Sequence, residues 1–219
     1  MIKTKLKKGE TILFIGDSIT DCNRGRHENI YAWSPNHHGT SYVSDVEAEL
    51  TISYTNLGIK ILNRGISDNC IRDLKERWQT DVMDWRPDWV FIFIGINDVW
   101  KQFQYPNVAD KWVQPKEYEQ TYRELIEQTK PVVRELVLVT PYYLEPNRED
   151  PMRVRMEEYA DTVRRLAHEY DLKYVDLQSA WDGLLEKLYN HQISSDRVHP
   201  NHIGHVYIAK QIMKLLESE

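Results

Sequence analysis

The residues best able to do chemistry in this chain stand in four short groups. Gly16-Asp17-Ser18 offers a hydroxyl, and Asn63-Arg64-Gly65-Ile66-Ser67-Asp68-Asn69 places a glycine in a polar run. Gly95-Ile96-Asn97-Asp98 supplies an amide, and Asp196-Arg197-Val198-His199 a carboxylate and an imidazole three residues apart. That offset brings Asp196 and His199 to one side of a single turn, close enough for the carboxylate to orient Nδ1–H. A serine hydroxyl is a weak nucleophile. An imidazole held this way can take its proton, while the carboxylate steadies the imidazolium that forms. The oxyanion of acyl transfer then needs preorganised donors, and the Ser18 N–H, the Gly65 N–H and the Asn97 side chain are available. Taken together, the groups point to acyl transfer through Ser18, His199 and Asp196.

Each group alone has a plainer reading. Gly-Asp-Ser can be a turn with capping hydrogen bonds, and 63–69 an ordinary β-to-α turn in which Asp68 or Asn69 caps the next helix. Asp17 and Asp21 are rival carboxylates near Ser18, but the Asp196-x-x-His199 pair already supplies the orienting acid. Trp100 follows Asn97-Asp98 by two residues and is expected on a cleft wall. Trp33, Tyr143 and Asp17 are the other expected substrate contacts. Tyr31, Tyr105, Trp112 and Tyr142 lie in or beside loops at the same edge. Aromatic faces of this kind pack on the C–H face of a sugar or form subunit contacts. Trp78, Trp85 and Trp89 follow helix or strand patterns and are expected in the core. His37 and His38, with His27, lack zinc-like spacing, so no metal site is expected.

The elements that must position these groups alternate in type. Apolar, β-rich runs fall at 11–15, 59–62, 89–94, 136–139 and 173–177, and amphipathic stretches at about 41–54, 68–85, 115–130, 151–170 and 201–217. A near-continuous apolar run such as 89–94 belongs in a parallel sheet covered on both faces. Alternating βα units give a three-layer α/β/α sandwich, whose ligands sit outside the carboxyl ends of the strands. All four groups follow a predicted strand or lie close to that edge. No helix is expected directly after Gly16-Asp17-Ser18, and 20–40 and 98–114 read as long loops, which in compact domains are more often functional than idle.

Composition narrows the alternatives. The chain has 219 residues, with 28 Lys plus Arg against 34 Asp plus Glu, a formal net charge of −6. One domain is expected, and the acidic balance disfavours nucleic acid and anionic lipid as partners. No segment approaches the roughly 18 apolar residues of a membrane span, and no secretory signal is visible at the N-terminus. With two cysteines, Cys22 and Cys70, and no CxxC spacing, a cytoplasmic location is expected.

The four ordered groups resemble the blocks of the SGNH hydrolases, the GDSL esterase/lipase family, named for Ser, Gly, Asn and His. They run from 16 to 200, nearly the whole chain. The resemblance implies a flavodoxin-like α/β/α fold with a five-stranded parallel sheet and a single hydrolase domain. It implies Ser18 as nucleophile, His199 as base, Asp196 as its acid partner, Gly65 and Asn97 as oxyanion donors beside Ser18, and no cofactor. The phrases ILFIGDSITDC, RDLKERW, GINDVW, DPMR and DRVHP look like the short intracellular acetyl esterases of bacilli that act on acetylated xylo-oligosaccharides. The expected activity is removal of acetyl from such carbohydrates, by an enzyme expected to be a homo-oligomer. A short-chain lipase or thioesterase of the same family is the nearest alternative. A metallophosphoesterase is the alternative of another class, disfavoured because the first strand there needs a D-x-H arrangement, and here Asp17 is followed by Ser18 and Ile19.

Overall fold

The computed structural model describes residues 3–26 and 37–218. In chain order its elements are β1 (Lys3–Thr4), β2 (Thr11–Gly16), α1 (Ser18–Asp21), α2 (Tyr42–Ser53), β3 (Lys60–Gly65), α3 (Ile71–Asp81), β4 (Trp89–Phe93) and α4 (Ile96–Gln104). They continue with α5 (Pro115–Thr129), β5 (Glu135–Val139), α6 (Pro151–Glu169), β6 (Lys173–Val175), α7 (Leu177–Leu185), α8 (His202–Leu216) and β7 (Glu217–Ser218). Five strands form one parallel sheet in the order β3-β2-β4-β5-β6. Near the chain ends, β1 and β7 pair antiparallel.

The sheet explains the apolar runs. All five residues of β4 are buried, as are five of the six in β2, because helices cover both faces. The helices α2 and α8 pack together, while α3, α5 and α6 pack in series and α4 adds to α6. The strand order reverses at β2, with β3 on one side and β4 on the other. Ligands of doubly wound sheets bind outside the carboxyl ends at such a reversal. Ser18 lies two residues past the end of β2, at that point.

Three expectations differ from the structure. A helix does start at once after β2, because the Asp17 side chain caps α1 by accepting the Ile19 N–H at 2.9 Å. The segment from 98 is no loop at its start: Ile96, Val99, Trp100 and Phe103 recur at helical spacing and form α4 behind its polar Asn-Asp opening. Trp85 is 48 % exposed and lies outside the core, its ring under the Arg64 guanidinium at 3.9 Å. Trp78 and Trp89 are buried as expected.

Candidate active site

Ser18 opens α1 at the carboxyl end of β2, and the loop before α8 brings His199 back to it. Ser18 Oγ lies 2.8 Å from His199 Nε2, and His199 Nδ1 lies 2.7 Å from Asp196 Oδ2. A carboxylate facing Nδ1 fixes the proton there and leaves Nε2 to accept from the serine hydroxyl. The Asp196 loop is internally braced. Its Oδ1 accepts the N–H groups of Val198 and His199 at 2.9 and 2.8 Å and the Ser194 hydroxyl at 2.9 Å. Partial burial by itself raises the Asp196 carboxyl, but the His199 ring and these donors outweigh it and hold the pKa at about 2.

Asp17 sits beside the nucleophile yet faces inward. It is 1 % exposed, its side chain caps α1, and its carbonyl accepts the N–H groups of Thr20 and Asp21. The expected substrate contact is therefore corrected: Asp17 holds the turn that presents Ser18. Burial pushes its carboxyl up to about 7, against the pull of the Ile19 N–H and with a further rise from nearby Asp98.

The expected oxyanion donors separate on inspection of their partners. Asn97 is 5 % exposed, and its amide nitrogen donates to the Asn69 carbonyl at 2.9 Å, which fixes its orientation and leaves its second N–H without a partner among the described residues. The Gly65 N–H is already engaged by Asn63 Oδ1 at 2.9 Å. A Cβ on Gly65 would meet the Asp21 backbone nitrogen at 2.2 Å, so this glycine is required for β3 to pack against α1. Glycine type here reflects packing, and the expected donor role is corrected.

A donor does exist in the following turn. Ile66 N–H goes to the Gly16 carbonyl, Ser67 N–H to Asp21 Oδ2, and Asn69 N–H to the Ile66 carbonyl. Cys70 N–H goes to Asp73 Oδ2 and Ile71 N–H to Asp98 Oδ1. The Asp68 N–H alone in this stretch makes no hydrogen bond among the described residues. Asp68 takes φ +67°, a left-handed conformation that Asp tolerates better than most residues. Ser18 N–H is likewise without a partner among the described residues. The residue string offers Asp68 or Asn69 as a cap for the next helix and does not show which backbone donors remain free.

Of the expected wall residues, Trp100 lies against His199 with ring centroids 5.6 Å apart. Tyr143 is buried beneath Arg197, whose guanidinium lies 5.2 Å from its ring, so it does not line an open cleft here. Tyr142 is fully buried against Phe93 and Trp181. Trp33, Tyr31 and His27 lie outside the described residues. Away from the triad, His37, His38 and Glu47 have ligand-capable atoms within 4.8 Å of one another, with His38 Nε2 3.1 Å from Glu47 Oε1. This grouping is spatial and was not visible as a spacing.

Residues 14–207 match the GDSL-like lipase/acylhydrolase family. The chain belongs to this family. It is 45 % identical over 210 residues to an acetylxylan esterase from Geobacillus stearothermophilus, covering 96 % of this chain and 95 % of that one. A solved structure of an acetylxylan esterase from that organism superposes with a TM-score of 0.94 at 45 % identity, over 98 % and 97 % of the two chains. That esterase has also been solved as catalytic mutants in which a serine, an aspartate or a histidine is replaced by alanine, the aspartate standing three positions before the histidine. An alpha/beta hydrolase enzyme from the metagenome of Lake Arreo, Spain, gives a TM-score of 0.91 at 42 % identity, over 95 % of each chain. The expected fold and the expected class, carboxylic ester hydrolase, both hold for this member of the GDSL-like family.

Proposed function

We propose that the chain is a serine esterase that removes acetyl groups from carbohydrate, with acetylated xylo-oligosaccharides as the substrate class. The observation that carries this reading is the continuous chain of contacts from Ser18 Oγ through His199 to Asp196, at 2.8 and 2.7 Å. The acetylxylan esterase relatives support the acyl group and the sugar.

In the proposed mechanism Ser18 Oγ attacks the acetyl carbonyl carbon as His199 Nε2 takes its proton. The oxyanion is held by the N–H groups of Ser18 and Asp68 and the free N–H of the Asn97 amide. Losing one such donor typically costs about 10²–10³ in turnover. The intermediate collapses, the sugar oxygen leaves with the proton from His199, and acetyl stays on Ser18. Water, deprotonated by His199, then attacks the acetyl-enzyme, and acetate departs as Ser18 regains its proton. Trp100 beside His199 would offer its face to the sugar ring. The same reading carries a single hydrolase domain, a cytoplasmic location and self-association.

The test compares kcat/KM for acetylated xylo-oligosaccharides, acetylated monosaccharides and longer-chain esters, each against a folded Ser18→Ala control. Highest values for the acetylated oligosaccharides, abolished by Ser18→Ala, are expected. A preference for long acyl chains would replace the reading with a lipase or thioesterase of the same family.

A further inference from the structure

The mechanism gives no role to Arg77, a mostly buried cation. Arg77 on α3 is 13 % exposed, and its guanidinium ends among the segments that carry the oxyanion donors. Nε donates to Asn69 Oδ1 at 2.7 Å, one terminal nitrogen to the Arg64 carbonyl at 2.8 Å, and the other to the Gly16 carbonyl at 3.0 Å. The nitrogen that meets Arg64 also reaches Asp81 Oδ2 at 2.6 Å, which balances the charge from the same helix face.

Each acceptor lies close in the chain to a proposed donor. Gly16 ends β2 and leads into Asp17 and Ser18. Arg64 leads, through Gly65, into the turn that holds Asp68. Asn69 follows Asp68 directly, and its own carbonyl accepts the Asn97 amide at 2.9 Å. Three donors from three different connections must agree in position to tenths of an ångström to hold one oxyanion. A guanidinium is a rigid planar fork of N–H groups, so it fixes the mutual angles of its acceptors as well as their distances. A helix-to-sheet brace would need only one of these contacts.

Resting on the Ser18 esterase reading, we propose that Arg77 is the positioning residue that holds the Ser18, Asp68 and Asn97 donors in one frame. It touches no substrate, so its effect falls on turnover and on the affinity for a tetrahedral mimic, with substrate affinity nearly unchanged.

The experiment measures kcat and KM for 4-nitrophenyl acetate, inhibition by methylboronic acid as the tetrahedral mimic, and thermal stability, in Arg77→Gln and Arg77→Lys. Arg77→Gln is expected to lose about 10–100-fold in kcat and in boronate affinity together, a fraction of the loss of a whole donor, with KM within about threefold. Arg77→Lys restores only part of both, because an ammonium cannot span three separated acceptors. Asn69→Ala removes the Nε anchor alone and is expected to give the same pattern at several-fold size, which decides the matter if Arg77→Gln does not fold. The proposal is overturned if the folded variants keep kcat within about twofold of the parent. It is equally overturned if the loss lies in KM while kcat and boronate affinity hold. Full turnover by Ser18→Ala, run alongside, would instead remove the esterase reading on which the proposal rests.

Discussion

His199 can serve as base for Ser18 only in the tautomer with its proton on Nδ1, and Asp196 supplies the acceptor that keeps it there. An amide at 196 can donate to Nδ1 and favours the wrong tautomer. Asp196→Asn is expected to lower kcat by about 10⁴ with the fold intact, measured on a chromogenic acetate. Asp17→Asn keeps a carbonyl oxygen to cap α1 and is expected to stay within about tenfold of the parent. The reverse ranking would reassign the acid. The Asp68 donor role gives a second contrast. Asp68→Gly accepts φ +67° without strain and is expected to remain active within a few-fold, whereas a β-branched Asp68→Val is strained there and is expected to lose most of its kcat. Equal activity in the two variants would argue against a backbone donor at that position. The roles proposed for Ser18, Asn97, Asp196 and His199 can be read from the chain because their side chains name their chemistry. The role proposed for Asp68 cannot, because it rests on a backbone N–H that makes no hydrogen bond among the described residues.

At the scale of elements, the site depends on how closely β3 approaches α1. Gly65 is the contact, with the Asp21 nitrogen only 2.2 Å from where a Cβ would stand. Gly65→Ala is therefore expected to spread β3 from α1, lowering both the thermal midpoint and kcat, with an overpacking cost of about 1–3 kcal/mol. Unchanged stability in that variant would show that the interface yields freely. The βα alternation and the buried strands were readable because full burial imposes a continuous apolar run, as in β4. The helices α1 and α4 were harder to read. α1 is four residues long and owes its start to the Asp17 cap, while α4 carries Asn97 and Asp98, buried polar residues, in its first turn. Buried polar side chains stand where periodicity expects apolar ones, so the residues from 98 read as loop.

Across the whole molecule, two buried carboxyls link stability to pH. Burial pushes Asp98 up to about 7, against the Ile71 N–H, and Asp17 reaches about the same value. A carboxyl raised in the folded state favours folding while protonated. Its contribution is complete below the ordinary value of 3.8 and is lost as pH rises through about 7. The denaturation midpoint is expected to fall between about pH 4 and 7, and Asp98→Asn, which cannot ionise, is expected to flatten that fall. Asp196, held at about 2, acts in the opposite direction and only in strong acid. An identical slope in parent and variant would remove Asp98 from the account. The proposed chemistry turns on one atom, Ser18 Oγ, and the most direct measurement is to catch it carrying the acyl group. Rapid acid quenching of the enzyme turning over 4-nitrophenyl acetate, followed by peptide mass spectrometry, should find one acetyl group on Ser18 and none in the Ser18→Ala chain. An unmodified Ser18 peptide, together with undiminished turnover by Ser18→Ala, would contradict the account.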